Sequence, residues 1–357
     1  MRQGQSARRT RIRRRGPWEQ TAPDHFGINW PWRPRHRPAE NVTIYQGAER
    51  HRFTRTESAL RMLAMSERIE RLFARCRDEN RAAFIPYICA GDPNFVRTVA
   101  IALALEEGGA DVLELGIPFS DPLADGIVNQ LAAERALEAG ATVHGVLGCV
   151  DEIRRRSQIP IVLYTYLNPI LRYGMAEFEH EAVAAGVDGL LILDLPPEED
   201  RSIQELDGLK PSSSTIGKDE SEVEENPIRI RLIAPTTPPE WIALIGQSAR
   251  GFIYYVLREG VTGARDSVAQ SLEERLTLIR QYTDLPIAVG FGISNPAQAA
   301  TVAKIADAVV IGSAIVDLIG KIGDADDLAD GVGKFVAPLA SAISSCRAKS
   351  RDPDAKA

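Results

Sequence analysis

One glutamate interrupts an otherwise apolar run, DVLELG at residues 111–116. The side-chain period of a strand is two, so Val112, Glu114 and Gly116 share one face and Leu113 and Leu115 the other. If both faces are covered, Glu114 is desolvated among apolar neighbours such as Ile117 and Phe119. Its pKa then rises toward the range where a carboxylic acid can donate and retrieve a proton near neutral pH. A purely structural role would require a buried cation as partner. None of the seven lysines falls in a strand-like run, and the strand-borne arginines are Arg231, at the far end of its run, and Arg229 just before it. No evident cation neutralises Glu114, and an unpaired buried carboxyl is costly without a use. Eleven residues on, Asp125 in FSDPLADG, with Asp121 nearby, supplies a second carboxylate. An acid and a carboxylate above one cavity make a proton-transfer pair. Aspartate is also common in turns for local hydrogen bonding, so Asp125 read alone leaves both roles open.

A second chemistry is suggested by glycines. EGVTGA carries Gly260 and Gly263, GFGIS carries Gly290 and Gly292, and IGSAIV carries Gly312 and Ser313 at the start of a short helix. Exposed backbone N–H groups in successive loops, with a helix N-terminus, form a cup for a phosphate. Any one of these glycines taken alone reads equally as a turn residue. Other chemistries are disfavoured by what is missing. Cleavage of a carbon–carbon bond commonly uses a Schiff-base lysine or a metal, yet no lysine is placed to face inward. His25, His36 and His51 lie near the N-terminus, while His144 and His180 fall in helical segments, so no zinc site is expected.

The elements that must position these residues alternate in type. Eight strand-like runs are expected at Phe84–Ile88, Val112–Gly116, Ile161–Tyr166, Leu190–Asp194, Ile230–Ala234, Phe252–Leu257, Ile287–Gly290 and Ala308–Ile311. Between them, Val96–Glu107, Val143–Arg156, Ala176–Ala185, Leu272–Tyr282 and Pro296–Ile305 have the apolar period of amphipathic helices. Eight β/α units in about 280 residues predict a single-domain α/β protein, a (β/α)8 TIM barrel. The alternative is a doubly wound open sheet, whose glycine-rich first turn is absent. Barrel chemistry sits at the C-terminal ends of the strands, where Glu114 and the glycine loops fall. SERIERLFARCRDENRAAF reads as a leading helix with Ser66 as N-cap, so the catalytic domain is expected to span 65–347 and the native protein to begin at or near Met65. Residues 1–64 read as a disordered basic extension, about 207–227 as a polar, acidic surface insertion, and 348–357 as a frayed tail.

Charge separates these parts. Residues 1–64 hold 14 arginines against 5 acids, a balance of +9, which leaves −16 on the remainder of a chain with formal net charge −7. So acidic a domain is not expected to bind nucleic acid, although the run Arg8 to Arg15 could touch polyanions. No apolar run nears the ~20 residues that span a bilayer, and no membrane association is expected. Cys76, Cys89, Cys149 and Cys346 are too scattered for a metal motif and too few for a disulfide framework, which favours a reducing, cytoplasmic location.

Several runs together resemble the tryptophan synthase alpha chain family, over roughly Met65 to Cys346. They are FIPYICAGDP (84–93), LELGIPFSDPLADG (113–126), YLNPI (166–170), GLLILDLPPEE (189–199), APTTP (234–238), GFIYYVLREGVTGA (251–264), VGFGIS (289–294) and IGSAIV (311–316). The resemblance implies a lyase that splits indole-3-glycerol phosphate into indole and glyceraldehyde 3-phosphate, in tryptophan biosynthesis. It implies Glu114 as acid and base at indole C3 and the glycerol hydroxyl, and Asp125 as holder of the indole N–H. An indole ring supplies its own electronics once its C3 is protonated. Tyr254 would line the indole pocket and the loop with Thr262 would close over it. Gly263, Gly292, Gly312 and Ser313 match phosphate-binding positions. The resemblance also implies a pyridoxal-phosphate-dependent beta chain as partner, contacted through Pro118, Asp121 and Pro196 in an assembly of two alpha and two beta chains, with no cofactor in this chain. Where the family usually reads DGPxIQ, this chain has Asp125, Gly126, Ile127, Val128, Asn129 and Gln130, and Leu257 replaces a common serine. Two alternatives remain at this level: a stand-alone indole-releasing lyase, and a non-catalytic activator of the beta chain, which retention of both carboxylates argues against. An indole-glycerol-phosphate synthase would resemble an enzyme using an inward lysine, which is lacking.

Overall fold

Among the described residues, nine short parallel strands build the wall that carries Glu114. They are β1 (Ala83–Cys89), β2 (Leu113–Gly116), β3 (Ile161–Thr165), β4 (Gly189–Ile192), β5 (Ile228–Arg229), β6 (Arg231–Ile233), β7 (Ile253–Val256), β8 (Ile287–Gly290) and β9 (Ala308–Ile311). The computed structural model describes residues 68–200, 227–256, 265–290 and 292–346. The expectations for the basic extension, for the insertion up to residue 226 and for the tail lie outside those residues.

The strand order is β5-β4-β3-β2-β1-β9-β8-β7-β6. Its two ends are consecutive in sequence. Only Ile230 separates β5 from β6, and its N–H donates to the Leu190 carbonyl at 2.9 Å. The two segments are halves of one strand, β5 pairing with β4 and β6 with β7. The ladder therefore closes into the expected eight-unit (β/α)8 barrel. The expected fifth strand, Ile230–Ala234, is corrected in two ways: pairing starts at Ile228, and it breaks where the strand exchanges one neighbour for the other.

Alternation sorts the strand residues into two packed layers. Leu113, Leu115, Ile161, Leu163, Ile253 and Val309 face outward into the helix layer, while Ala83, Val112, Val162, Leu191, Tyr254 and Val310 fill the interior. Helices follow the strands, among them Phe95–Glu107, Val143–Arg154 and Pro296–Ala303. Each of these three starts where a side chain meets an orphan N–H: Asn94 accepts from Arg97 at 2.9 Å, Thr142 from Gly145 at 3.1 Å and Asn295 from Gln298 at 3.0 Å. Not all expected bounds hold. The helix expected at Leu272–Tyr282 runs from Arg265 to Arg280, and those at Ile127–Glu138, Pro239–Ser248 and Leu328–Ser344 carry no counterpart among the expected helices.

One end of the barrel is plugged. The helix at residues 68–78 turns Ile69, Leu72, Phe73 and Cys76 into the interior cluster, with the Phe73 and Phe252 rings 5.5 Å apart. Beneath it Asp188, its side chain wholly buried, accepts from Arg68 at 2.7 Å, Arg154 at 2.5 Å and the Ile161 N–H at 2.7 Å. The opposite end, where the strands terminate, is left for the site.

Candidate active site

β2 presents Glu114 to the interior because its leucine neighbours take the helix side. Glu114 is 1% exposed. Parallel pairing sets it beside Tyr87 of β1 and Val162 of β3. Burial pushes its carboxyl up to about 8, opposed by a hydrogen bond from the Tyr254 hydroxyl and reinforced by the charge of Asp125. Among the described residues, no lysine or arginine shifts it. The strand-borne arginines are engaged elsewhere. Arg229 lies within β5 rather than before it, and it bonds Glu179 and, at 3.1 Å, Asp200, while Arg231 meets Asp200 at 2.5 Å. Alternation turns both outward, since Ile228 and Ile230 occupy the interior positions.

The surroundings expected for Glu114 need correcting. Ile117 joins the outer apolar layer, and the Phe119 ring packs on Tyr166 at 5.4 Å. The mouth around Glu114 is instead lined by tyrosine rings. Tyr254 reaches Glu114 Oε2 from across the barrel at 3.4 Å. Tyr87 and Tyr164 meet edge to face, centroids 5.0 Å apart. Glycines make room for these rings. A Cβ at Gly116 would collide with the Tyr87 hydroxyl, one at Gly312 would stand 3.2 Å from the Tyr87 ring, and one at Gly290 would stand 3.1 Å from the Tyr254 hydroxyl.

Asp125 closes the loop after β2 and is held from β3. Tyr164 donates to Oδ1 and Tyr166 to Oδ2, each at 2.9 Å. The Asn129 amide lies 3.4 Å from Oδ1. Burial raises the Asp125 carboxyl, and these three donors oppose that rise without cancelling it. Asp125 and Glu114 thus share one mouth, both raised by burial, but among the described residues Glu114 has a single weak donor and Asp125 three. Neither Tyr164 nor Tyr166 was singled out for chemistry from the sequence. Their signal was the inward period Val162, Tyr164, Tyr166 at the end of an expected strand, which sets two hydroxyls beside whatever follows β2.

The remaining candidates fall into groups. Gly312 precedes the helix Ser313–Ile322, whose first turn receives no side-chain cap; the Ile315 and Val316 N–H groups donate to the Gly312 carbonyl, and those of Ser313 and Ala314 point the helix N-terminus at an anion. Gly292 has φ +32°, a left-handed backbone that glycine tolerates. Gly260, Thr262 and Gly263 lie outside the described residues, as does Leu257. Pro118 is buried, Pro196 half-buried and Asp121 exposed, with Ser120 donating to Asp121 at 2.5 Å. Among the described residues, no three His, Cys, Asp or Glu side chains gather as metal ligands would, and no helix is long and apolar enough to cross a membrane.

Known proteins share most of this chain's length and its fold. A family model for the tryptophan synthase alpha chain matches residues 73–342. The tryptophan synthase alpha chain of Opitutus terrae is 50% identical over 252 residues, covering 71% of this chain and 89% of that one. That of Geobacter sulfurreducens is 45% identical over 276 residues, covering 77% and 98%. The crystal structure of tryptophan synthase subunit alpha from Legionella pneumophila superposes with a TM-score of 0.67 at 35% identity, covering 77% of this chain and 98% of that one. A chain of Mycobacterium tuberculosis tryptophan synthase gives 0.66 at 34%, covering 77% and 98%.

Proposed function

We propose, from the premise that this chain belongs to the tryptophan synthase alpha chain family, that Glu114 and Asp125 perform the cleavage of indole-3-glycerol phosphate. The enzyme is a lyase of tryptophan biosynthesis that releases indole and glyceraldehyde 3-phosphate. The observation that supports the residue assignment is a buried carboxyl raised to about 8 with one weak donor. Such a group is protonated at neutral pH. It gives its proton to indole C3, and the ring then bears positive charge at nitrogen. The carboxylate so formed takes the proton of the glycerol hydroxyl next to the ring. The carbon–carbon bond breaks, its electrons return to the ring, and the aldehyde leaves. One proton has entered at carbon and one has left from oxygen, so Glu114 ends as it began. Asp125, oriented by its tyrosine donors, accepts the indole N–H and offsets the charge that develops there. Gly263, Gly292, Gly312 and Ser313 bind the phosphate, Tyr254 lines the indole pocket, and the loop with Thr262 closes over the site.

The chain further works with a beta chain, docked through Pro118, Asp121 and Pro196 in an assembly of two alpha and two beta chains. Pyridoxal phosphate belongs to that partner, this chain needs no cofactor, and the pair acts in the cytoplasm. Indole release measured with and without added beta chain tests the partnership.

Glu114→Gln tests the chemistry. It preserves shape while removing the titrating proton, and positioned acid–base groups contribute ~10²- to 10⁴-fold. Indole release should fall by at least about that much, with circular dichroism unchanged and KM nearly so. Activity within about tenfold of the parent would remove Glu114 from the mechanism.

A further inference from the structure

Asp125 terminates a loop held by Tyr166, just after β3, and by the helix Ile127–Glu138 that follows it. The Ala124 N–H donates to the Tyr166 hydroxyl at 2.9 Å, and Gln130 Nε2 donates to the Asp125 carbonyl at 2.8 Å. Tyr166 therefore binds both the loop backbone and Oδ2 of its carboxylate, and is part of the loop's anchor. Tyr164 differs. Its ring is half-buried against Tyr87, and its hydroxyl meets the described structure at Asp125 Oδ1. Asn129 lies on that same oxygen through Nδ2, while its Oδ1 is buried and accepts from nothing among the described residues. Register explains the approach: Tyr164 pairs with Gly116, which has no side chain to occupy the space between β2 and β3.

We propose that Tyr164 is a positioning residue for the cleavage, fixing the Asp125 carboxylate by a hydrogen bond to Oδ1 so that it meets the indole N–H oriented and ionised. This rests on the assignment of Asp125 to the indole nitrogen. The chemistry requires it. A carboxyl that binds a developing cation must be charged while its neighbour Glu114 is protonated, although both are desolvated in one mouth. Two interacting acids with the same surroundings would lose one proton as a pair without fixing which of them carries the charge, and differential hydrogen bonding makes that choice. The groups facing Asp125 are Tyr87 and Cys89 of β1, Glu114 of β2, Tyr164 and Tyr166 of β3 and just after it, Asn129, and Tyr254 of β7. Among the described residues no cation stands with them, and the hydroxyl donors favour its charged form. Tyr164 is also linked to the end of the mouth that carries Gly312, because the Tyr87 ring that braces it packs against that glycine.

The experiment is a double-mutant cycle on the full-length chain, reading indole release from indole-3-glycerol phosphate across pH. Tyr164→Phe should lower kcat about 10- to 100-fold, the range for losing a bond to a charged group. It should also move the acid limb of kcat/KM to higher pH, because a donor that lowers the Asp125 pKa is gone. In an Asp125→Asn background the same change should cost less than threefold and leave the pH profile unmoved. Equal losses in both backgrounds would overturn the proposal, since Tyr164 would then act through packing alone. So would Tyr164→Phe with kcat and acid limb unchanged. If instead Asp125→Asn by itself left kcat intact, the underlying assignment of Asp125 would fail. Asp125→Asn that is strongly impaired, with Tyr164→Phe additive upon it, would sink only the role of Tyr164.

Discussion

The Tyr254 hydroxyl approaches Glu114 Oε2 at 3.4 Å from the far wall of the barrel. Burial drives the Tyr254 pKa well above its ordinary value, so the phenol stays a neutral donor through the working pH range. At that length the bond is weak. It tempers the Glu114 carboxyl without pairing it, leaving the pKa at about 8.

Tyr254→Phe should therefore raise the Glu114 pKa. Glu114 must be protonated to deliver the first proton, so kcat/KM should fall as pH rises through about 8. Removing the donor moves that alkaline limb upward, with kcat near neutral pH reduced less than about tenfold, as expected for one weak hydrogen bond. A limb that moves to lower pH would reverse the assigned direction.

The same carboxyl couples stability to pH. Unfolded, Glu114 titrates at its ordinary 4.5, and folded at about 8. Between those values the folded state binds more protons than the unfolded one, so this group's contribution to stability declines as pH rises from about 4.5 to 8. Each unit of separation corresponds to about 1.4 kcal/mol, so the loss should reach a few kcal/mol. Glu114→Gln should accordingly melt higher than the parent at pH 8.5, and the gap should shrink toward pH 5. Calorimetry at the two pH values reads both differences. A gap that grew on acidification would show that Glu114 is held ionised in the fold.

Gly116→Ala should disturb the mouth without breaking β2. The added methyl would collide with the Tyr87 hydroxyl and stand 2.9 Å from its ring. Overpacking of this kind costs about 1–3 kcal/mol. The melting temperature should fall by several degrees and indole release with it, because Tyr87 braces Tyr164. Tyr87→Leu in the same chain should recover part of the stability. No recovery would place the strain in the β2 backbone.

Asp188→Ala should be among the most destabilising single changes. It removes the shared partner of Arg68 and Arg154 at the plugged end of the barrel. Breaking a buried pair by removing one member typically costs ~3–5 kcal/mol. The urea midpoint should drop strongly. The activity of the fraction still folded should be close to that of the parent, because Asp188 lies at the end away from Glu114. Loss of activity at full folding would show that the two ends are coupled.

What the sequence by itself determined was mainly local. The inward aim of Glu114 followed from alternation in DVLELG, since a strand's side-chain period is a property of its backbone. The (β/α)8 order followed from apolar periodicity, which each segment carries whatever its neighbours are. The glycine before Ser313 and the capping residues Asn94 and Asn295 belong to the same class, because each acts within a few residues of itself. Tertiary structure decided which residues meet. Tyr164 reaches Asp125 across 39 positions of sequence because β2 and β3 pair with Gly116 opposite Tyr164. Tyr254 reaches Glu114 across 140 positions because the ring of strands closes. Ile117 and Phe119, neighbours of Glu114 in sequence, point to other layers, and Arg229 finds its acids outside the barrel. The pKa separating an acid from a carboxylate therefore could not be read from composition or spacing. It depends on donors supplied by strands distant in sequence, and a shift of one register position would turn those donors to the other face of the wall.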